Sequence, residues 1–420
     1  MKVHHVSSAP INGGAARAGL RLHRGLCQMD GIESLWLDAG VLPDAPNAKH
    51  LGAPGNSDSL WTRIRRLHWR NKIRKEFAGT KTPCSSPFGW GNPSIFKGIP
   101  VPDVWNLHWV SHFLDWENLL PWMAGQAPVF WTLHDLNPLM GVWHYVPFEK
   151  ELNDERRRME QQAMEFKRKA LSRIPKDRLT FVGPSKWMVE QCRQSTVTAA
   201  FPVVHIPYGL DTGIFAPRDR QIVRSMFDIP NDVRVLGFVS DGVADPRKGI
   251  SQLESAIRLL PSSMRVHLLT VGNGPAPTFG FPHSHLGPLQ NDFLLSFFYS
   301  ACDLFVCPSL QDNLPNTVIE SMSCGTPVVA YRTGGLPDMV REGESGSVVN
   351  PVGDSTALAE AISKLLYERE RLPILRSNAR AIAVAEYDLG IQSWNYKNVY
   401  EKKCGRACSP TTAALMGNLN

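Results

Sequence analysis

The chain has 420 residues, 43% hydrophobic and 20% charged, with a net charge of +6. Such a length suits two domains better than one core, and the composition excludes disordered and fibrous classes. The mild positive charge comes with no nucleic-acid motif, so it argues against nucleic acid and favours a phosphorylated ligand or an acidic membrane face.

The cysteines at 27, 84, 192, 302, 307, 324, 404 and 408 show no CxxC pairing, so neither a zinc site nor a disulfide framework is expected. No apolar run approaches the roughly 20 residues of a spanning helix, and the N-terminus lacks the apolar region of a signal peptide. The expected location is the cytoplasm, with peripheral contact to the inner face of the plasma membrane.

Residues 3–6 alternate as a strand, 7–14 form a loop of small residues, and 15–29 have helical spacing. Gly13 and Gly14 in that loop suggest close approach to a phosphate, although neither GxGxxG nor GxxxxGK[ST] is present. A second strand is expected at 32–37. Residues 39–99 then break the rhythm as an insertion rich in Pro, Gly, Asn and Ser.

Within the insertion, WTRIRRLHWRNKIRK (61–75) carries seven Lys or Arg and no acid, interleaved with Trp61, Ile64, Leu67, Trp69 and Ile73. It reads either as an element lying on an anionic membrane or as a solvated basic surface. Strand character returns at 103–108, ending in NLHW, and at 128–134, ending in TLHD. His108 and His134 thus fall at carboxyl ends of strands, the edge where open α/β sheets bind ligands. The loop 137–148 holds Trp143, His144 and Tyr145, aromatics suited either to stacking on a sugar or to a core. A charged helix (151–173), a strand (179–183), a helix after Ser185 and a strand (203–206) complete a parallel α/β half.

Pro and Gly residues around 207–230 mark a boundary, and a second alternation begins with a strand at 234–240. Arg247, Lys248 and Gly249 open the next helix. Two cations at a helix N-terminus oppose its dipole unless an anion sits between them. A strand (266–271) ends in Gly272, Asn273 and Gly274. The stretch 305–331, FVCPSLQDNLPNTVIESMSCGTPVVAY, reads as strand, loop, helix and strand, with Pro315 suited to a first helical turn. Such a unit aims main-chain N–H groups and a helix dipole at an anion. Asp312 lies at its mouth and Glu320 inside the helix. Taken alone, the two carboxylates fit an acidic cap and a solvated glutamate. Helices at 356–368, 372–387 and 391–403 precede a small polar tail.

The pattern PS-x-x-D-x7-E, followed by SMSCGTPVVAY and TGGLPD, resembles the acidic-x7-Glu signature of retaining GT-B glycosyltransferases of family 4. That family usually has Glu followed by Gly-Phe-Gly, where this chain has Asp312, Asn313, Leu314 and Pro315. The resemblance implies two Rossmann-like parallel-sheet domains facing a cleft. Acceptor binding is assigned to 1–207, nucleotide-sugar binding to 208–388, a helix crossing back to 389–405, and a tail to 406–420.

It further implies hexosyl transfer from a nucleotide sugar to a glycan or lipid-linked glycan in surface polysaccharide synthesis. His134, Lys248 and Asp312 would be catalytic. The donor would lie on Gly13, Gly14, Arg247, Gly272, Gly274, Asn313, Leu314, Asn316, Thr317 and Glu320, the last on the ribose. His108, Asp135 and Trp143 would face the acceptor. No D-x-D occurs, so no metal cofactor is expected. An epimerase of the same build and an inactive nucleotide-sugar-binding protein are the alternatives.

Overall fold

A computed structural model describes residues 1–9, 13–40, 43–52, 59–242, 245–274 and 279–406. The first domain holds β1 (Lys2–Ser7), α1 (Gly14–Cys27), β2 (Glu33–Asp38), β3 (Ala48–His50), α2 (Leu60–Glu76), β4 (Val104–Leu107), α3 (Leu119–Gln126), β5 (Val129–Thr132), α4 (Asp154–Leu171), β6 (Leu179–Gly183), α5 (Lys186–Gln194) and β7 (Val203–His205). Its strands run in the order β3-β2-β1-β4-β5-β6-β7, every neighbouring pair parallel. β3 is an edge strand inside the stretch expected to be a pure insertion. β4 and β5 are buried at every position, as strands covered by helices on both faces must be.

The second domain holds α6 (Arg220–Met226), β8 (Arg234–Gly242), α7 (Ile250–Arg258), β9 (Val266–Asn273), β10 (His283–His285), α8 (Asp292–Ala301), β11 (Leu304–Cys307), α9 (Asn316–Ser323), β12 (Val328–Tyr331), α10 (Leu336–Met339), β13 (Gly346–Val349), α11 (Ser355–Tyr367), α12 (Leu372–Tyr387) and α13 (Leu389–Lys403). Its sheet is parallel in the order β10-β9-β8-β11-β12-β13. Both sheets have neighbours that reverse the direction of strand order beside β1 and β8, which places a crevice at those strands' carboxyl ends.

The last helix belongs spatially to the first domain. Within α13, the Tyr396 hydroxyl bonds Thr132 of β5, and the Tyr400 hydroxyl accepts from Asn106 of β4. Tyr396 and Tyr400 are fully buried with Val3, Val104 and Phe130. Each is an apolar body with one polar tip, and each tip finds a partner, so helix and sheet share one core.

The aromatics of α2 divide in a way the linear spacing does not show. Trp69 and Ile73 pack onto Phe77, Trp143 and Met159 of the first domain, while Leu60, Trp61, Ile64 and Leu67 are exposed. The tail from 407 onward lies outside the described residues, as do 10–12 of the first loop. No described helix is long and apolar enough to cross a membrane.

Candidate active site

A cavity of about 590 Å³ lies between the domains, reached by the carboxyl ends of strands in both sheets. From the second domain, two loops form its floor. Asp245 begins a tight turn in which its side chain accepts from Arg247 N–H, and Gly249 closes the turn at φ +72°. A side chain at Gly249 would meet the Pro308 carbonyl at 1.9 Å, so glycine is required both by the backbone and by the neighbouring loop. The result is that Arg247 and Lys248 precede α7 instead of opening it, and both face the cavity.

The second loop runs from β11 into α9. Pro315 is the N-cap of α9 and provides no side-chain cap, leaving first-turn amides to a ligand. Asp312 Oδ2 accepts from Lys248 Nζ at 2.6 Å and from Ser309 Oγ at 3.2 Å. Burial pulls the Lys248 ammonium down, yet Asp312 beside it holds it above its ordinary range, so Lys248 stays a cation. Arg247 lies 3.9 Å from the centroid of the Tyr145 ring and pairs with Asp245 at 2.5 Å. Its Nε and Nη1 are buried and lack a well-aligned acceptor, with only the Tyr145 side chain close by. An anion in the cavity would accept well from such donors.

Glu320 carries a second ion-pair cluster that the sequence did not suggest. Its Oε1 accepts from Arg21 of α1 at 2.8 Å and its Oε2 from the Tyr299 hydroxyl at 2.8 Å. Arg21 also reaches Asp292 at 3.2 Å, and Arg17 stands 3.7 Å from Asp292 and 3.8 Å from Glu320. Arg17 and Arg21 are one helical turn apart on α1, directly after the glycine pair. That spacing was the available signal. A carboxylate offers about four acceptor positions, so about two remain at Glu320 for hydroxyls of a ligand.

Gly13 and Gly14 line the cavity where α1 begins, and the Gly14 carbonyl accepts from Asn316 Nδ2 at 3.0 Å. Gly272, Leu314, Asn316 and Thr317 also line it. Asn313 lines it as well, but its side chain is committed: Oδ1 accepts from Ser185, and Nδ2 donates to the Leu133 carbonyl at 2.9 Å. It acts as a clip between the two domains.

On the first-domain wall, a row of buried histidines ends at the cavity. His5 Nδ1 and His108 Nε2 are 2.9 Å apart, His108 Nδ1 and His134 Nε2 3.1 Å, and His134 Nδ1 meets the Tyr208 hydroxyl at 2.7 Å. Both ring nitrogens of His134 are therefore engaged, and a donor hydroxyl reaching them must displace Tyr208. His108 is sealed between His5 and His134 and is 1% exposed. Its expected acceptor contact is corrected: the ring supports His134 from behind.

Burial pushes His134 down to about 4, and burial likewise holds His5 and His108 well below the usual range. In the unfolded chain such rings take up a proton near pH 6.5, so below that value the unfolded state binds more protons and stability falls with pH. We expect stability to fall progressively as the pH drops below ~6.5. Urea midpoints measured from about pH 7 to about pH 5 check it, and a flat profile there would refute the neutral row.

Trp143 is likewise corrected. It is 1% exposed and packs edge-on against Phe77, with ring centroids 4.8 Å apart, away from the cavity. Its neighbours His144 and Tyr145 line the cavity instead. The loop is pinned by Glu160, whose carboxylate accepts from the Gly141 and Val142 amides, and by buried Lys167, whose Nζ donates to the Asn137 and Met140 carbonyls. Asp135 accepts from His144 Nδ1 at 2.5 Å and from Trp109 Nε1 at 2.8 Å. These donors, led by His144, outweigh burial and hold the Asp135 carboxyl below its ordinary range. Gly274, expected at the nucleotide, is not among the residues lining the cavity.

Residues 233–368 match the family model of glycosyl transferases group 1. That match lies within the second domain. A D-inositol 3-phosphate glycosyltransferase of Mycolicibacterium smegmatis is 32% identical over 191 residues, 42% of this chain and 42% of the relative. The chain thus spans less than half the length of the curated relatives it matches.

Among solved structures, sucrose-phosphate synthase from Thermosynechococcus elongatus superposes with a TM-score of 0.69 at 19% identity, covering 96% of this chain and 98% of the other. Anabaena HepE, solved with UDP and glucose, gives 0.64 at 16% identity, covering 96% and 100%. These likenesses place the two domains in the GT-B fold.

Proposed function

We propose that the protein is a glycosyltransferase that moves a hexosyl group from a nucleotide sugar to a glycan or lipid-linked glycan, with retention of configuration and without a divalent metal. The observation that carries this reading is the cation pair in the cavity: buried Arg247 and half-buried Lys248 stand beside the uncapped start of α9, in a cavity shared by both domains. This arrangement suits a diphosphate leaving group, since fixed charges and amides act where negative charge develops. Glu320 would take the ribose hydroxyls and Asp312 the donor-sugar hydroxyls. His134 would sit near the reacting carbon, with the acceptor entering past Asp135 and His144.

Among the described residues, no group of three His, Cys, Asp or Glu is placed to hold a metal ion. The protein named from Anabaena was solved with UDP, and a uridine nucleotide is the first donor to try here. Transfer from a panel of nucleotide sugars, run with and without a chelator and followed by NMR of the product anomer, is the test. Retained configuration at undiminished rate is expected. An inverted product, an epimerised donor, or activity abolished by the chelator each contradicts the reading.

A further inference from the structure

The exposed face of α2 is the largest feature that the cavity does not account for. Its seventeen residues include no buried position. On one side Leu60, Trp61, Ile64 and Leu67 are 69%, 78%, 47% and 48% exposed. At 100° per residue these four fall within about a third of the helix circumference, a contiguous apolar strip. Arg63 and Arg70 flank the strip, and Arg74 and Lys75 continue it toward the helix C-terminus, all of them exposed. Arg65 and Lys72 point the other way and are paired with Glu117 and Glu155. The helix therefore turns Arg65 and Lys72 toward acidic partners and presents Arg63, Arg70 and Arg74 outward beside uncovered hydrocarbon.

We propose that this face docks on an anionic lipid surface. Four apolar side chains reaching the acyl boundary with cations at headgroup level are what an interfacial helix requires. Self-pairing across a two-fold axis would bring like cations together, which disfavours a second copy. The aliphatic strip of Leu60, Ile64 and Leu67 is poorly suited to stacking on bases, which disfavours nucleic acid.

The position of the helix also fits the proposed reaction. At its C-terminal end Phe77 packs on Trp143, whose chain neighbours His144 and Tyr145 line the cavity. A bilayer held by α2 would present a lipid-linked acceptor to the same wall that carries Asp135. This last link rests on the transferase reading, whereas docking itself does not.

Co-sedimentation with vesicles of phosphatidylcholine alone, and of phosphatidylcholine mixed with phosphatidylglycerol, uses no sugar nucleotide, so docking and transfer can fail separately. The full chain is expected to bind the mixed vesicles, more weakly as salt rises, and to leave the neutral ones in solution. Arg70→Ala with Arg74→Ala should weaken binding about 30-fold, at roughly one strong cation contribution each. Trp61→Ala with Leu67→Ala should weaken it further while leaving the melting temperature unchanged, since all four side chains are exposed. Equal binding to both vesicle types, none to either, or salt-insensitive binding overturns the proposal. So does a Trp61-dependent dimer, or oligonucleotide binding in place of vesicle binding.

Discussion

Lys248→Ala is expected to lower kcat/KM by about a thousandfold or more while the protein remains folded. The lysine is attached to a turn whose geometry is set by Asp245 and Gly249 and not by its own side chain, so the backbone survives the substitution. What is lost is a fixed positive charge at the place proposed for the departing diphosphate. Its ammonium now lies 2.6 Å from Asp312, so truncation also frees that carboxylate to repel an anionic donor. Both effects act on the same step and in the same direction. Lys248→Arg should recover part of the rate by keeping the charge, though without the same reach. Full activity in the alanine variant, with an unchanged melting curve, would remove Lys248 from the machinery.

Glu320→Ala is expected to cost about 3 kcal/mol of stability, the lower end for breaking a buried ion pair. The side chains of Arg21 and Glu320 are 6% and 1% exposed, so removing one leaves the other charged in a poorly hydrated site. Asp292 remains beside Arg21 at 3.2 Å, which is why the lower end applies. The Tyr299 hydroxyl loses its acceptor as well. Replacing Arg21 and Glu320 together with Leu should regain most of the stability, because an apolar pair of similar volume tolerates burial.

Nucleoside diphosphate affinity separates the two roles of Glu320. It should stay weak in the stable double variant if ribose hydroxyls bind this carboxylate. Denaturant midpoints and calorimetry on the same samples provide both readings. Wild-type affinity in the double variant would leave Glu320 as a purely structural partner of the first domain.

The Arg21 contact also bears on how the domains meet. α1 starts at the glycine pair, and its first turns reach across to Glu320 and Asp292, while Asn313 and Asn316 reach back to Leu133, Ser185 and Gly14. These cavity loops thus serve as interdomain contacts. A ligand that needs those atoms competes with the closed arrangement, so binding and domain motion are energetically linked.

The sequence by itself determined the alternation of strands and helices, the division into two parallel sheets, and the loops that meet at the cavity. Those properties rest on local periodicity and turn chemistry: apolar runs too short for helices, Ser185 and Asp354 as caps, and Gly249 where φ is positive. Lys248, Asp312, Glu320 and His134, singled out through the resemblance of their motifs to a known family, all line the cavity.

Only the tertiary structure decided which neighbouring side chain faces inward. Trp143 and His144 are adjacent in the chain and both buried, and which of them lines the cavity depends on Phe77 and Met159 filling the space beneath the loop. His108 and His134 both follow strands, but one is covered by His5 from the neighbouring strand. Arg21 finds Glu320 299 positions away. Such pairings are set by how layers pack across long separations, and periodicity along a single chain holds no record of them.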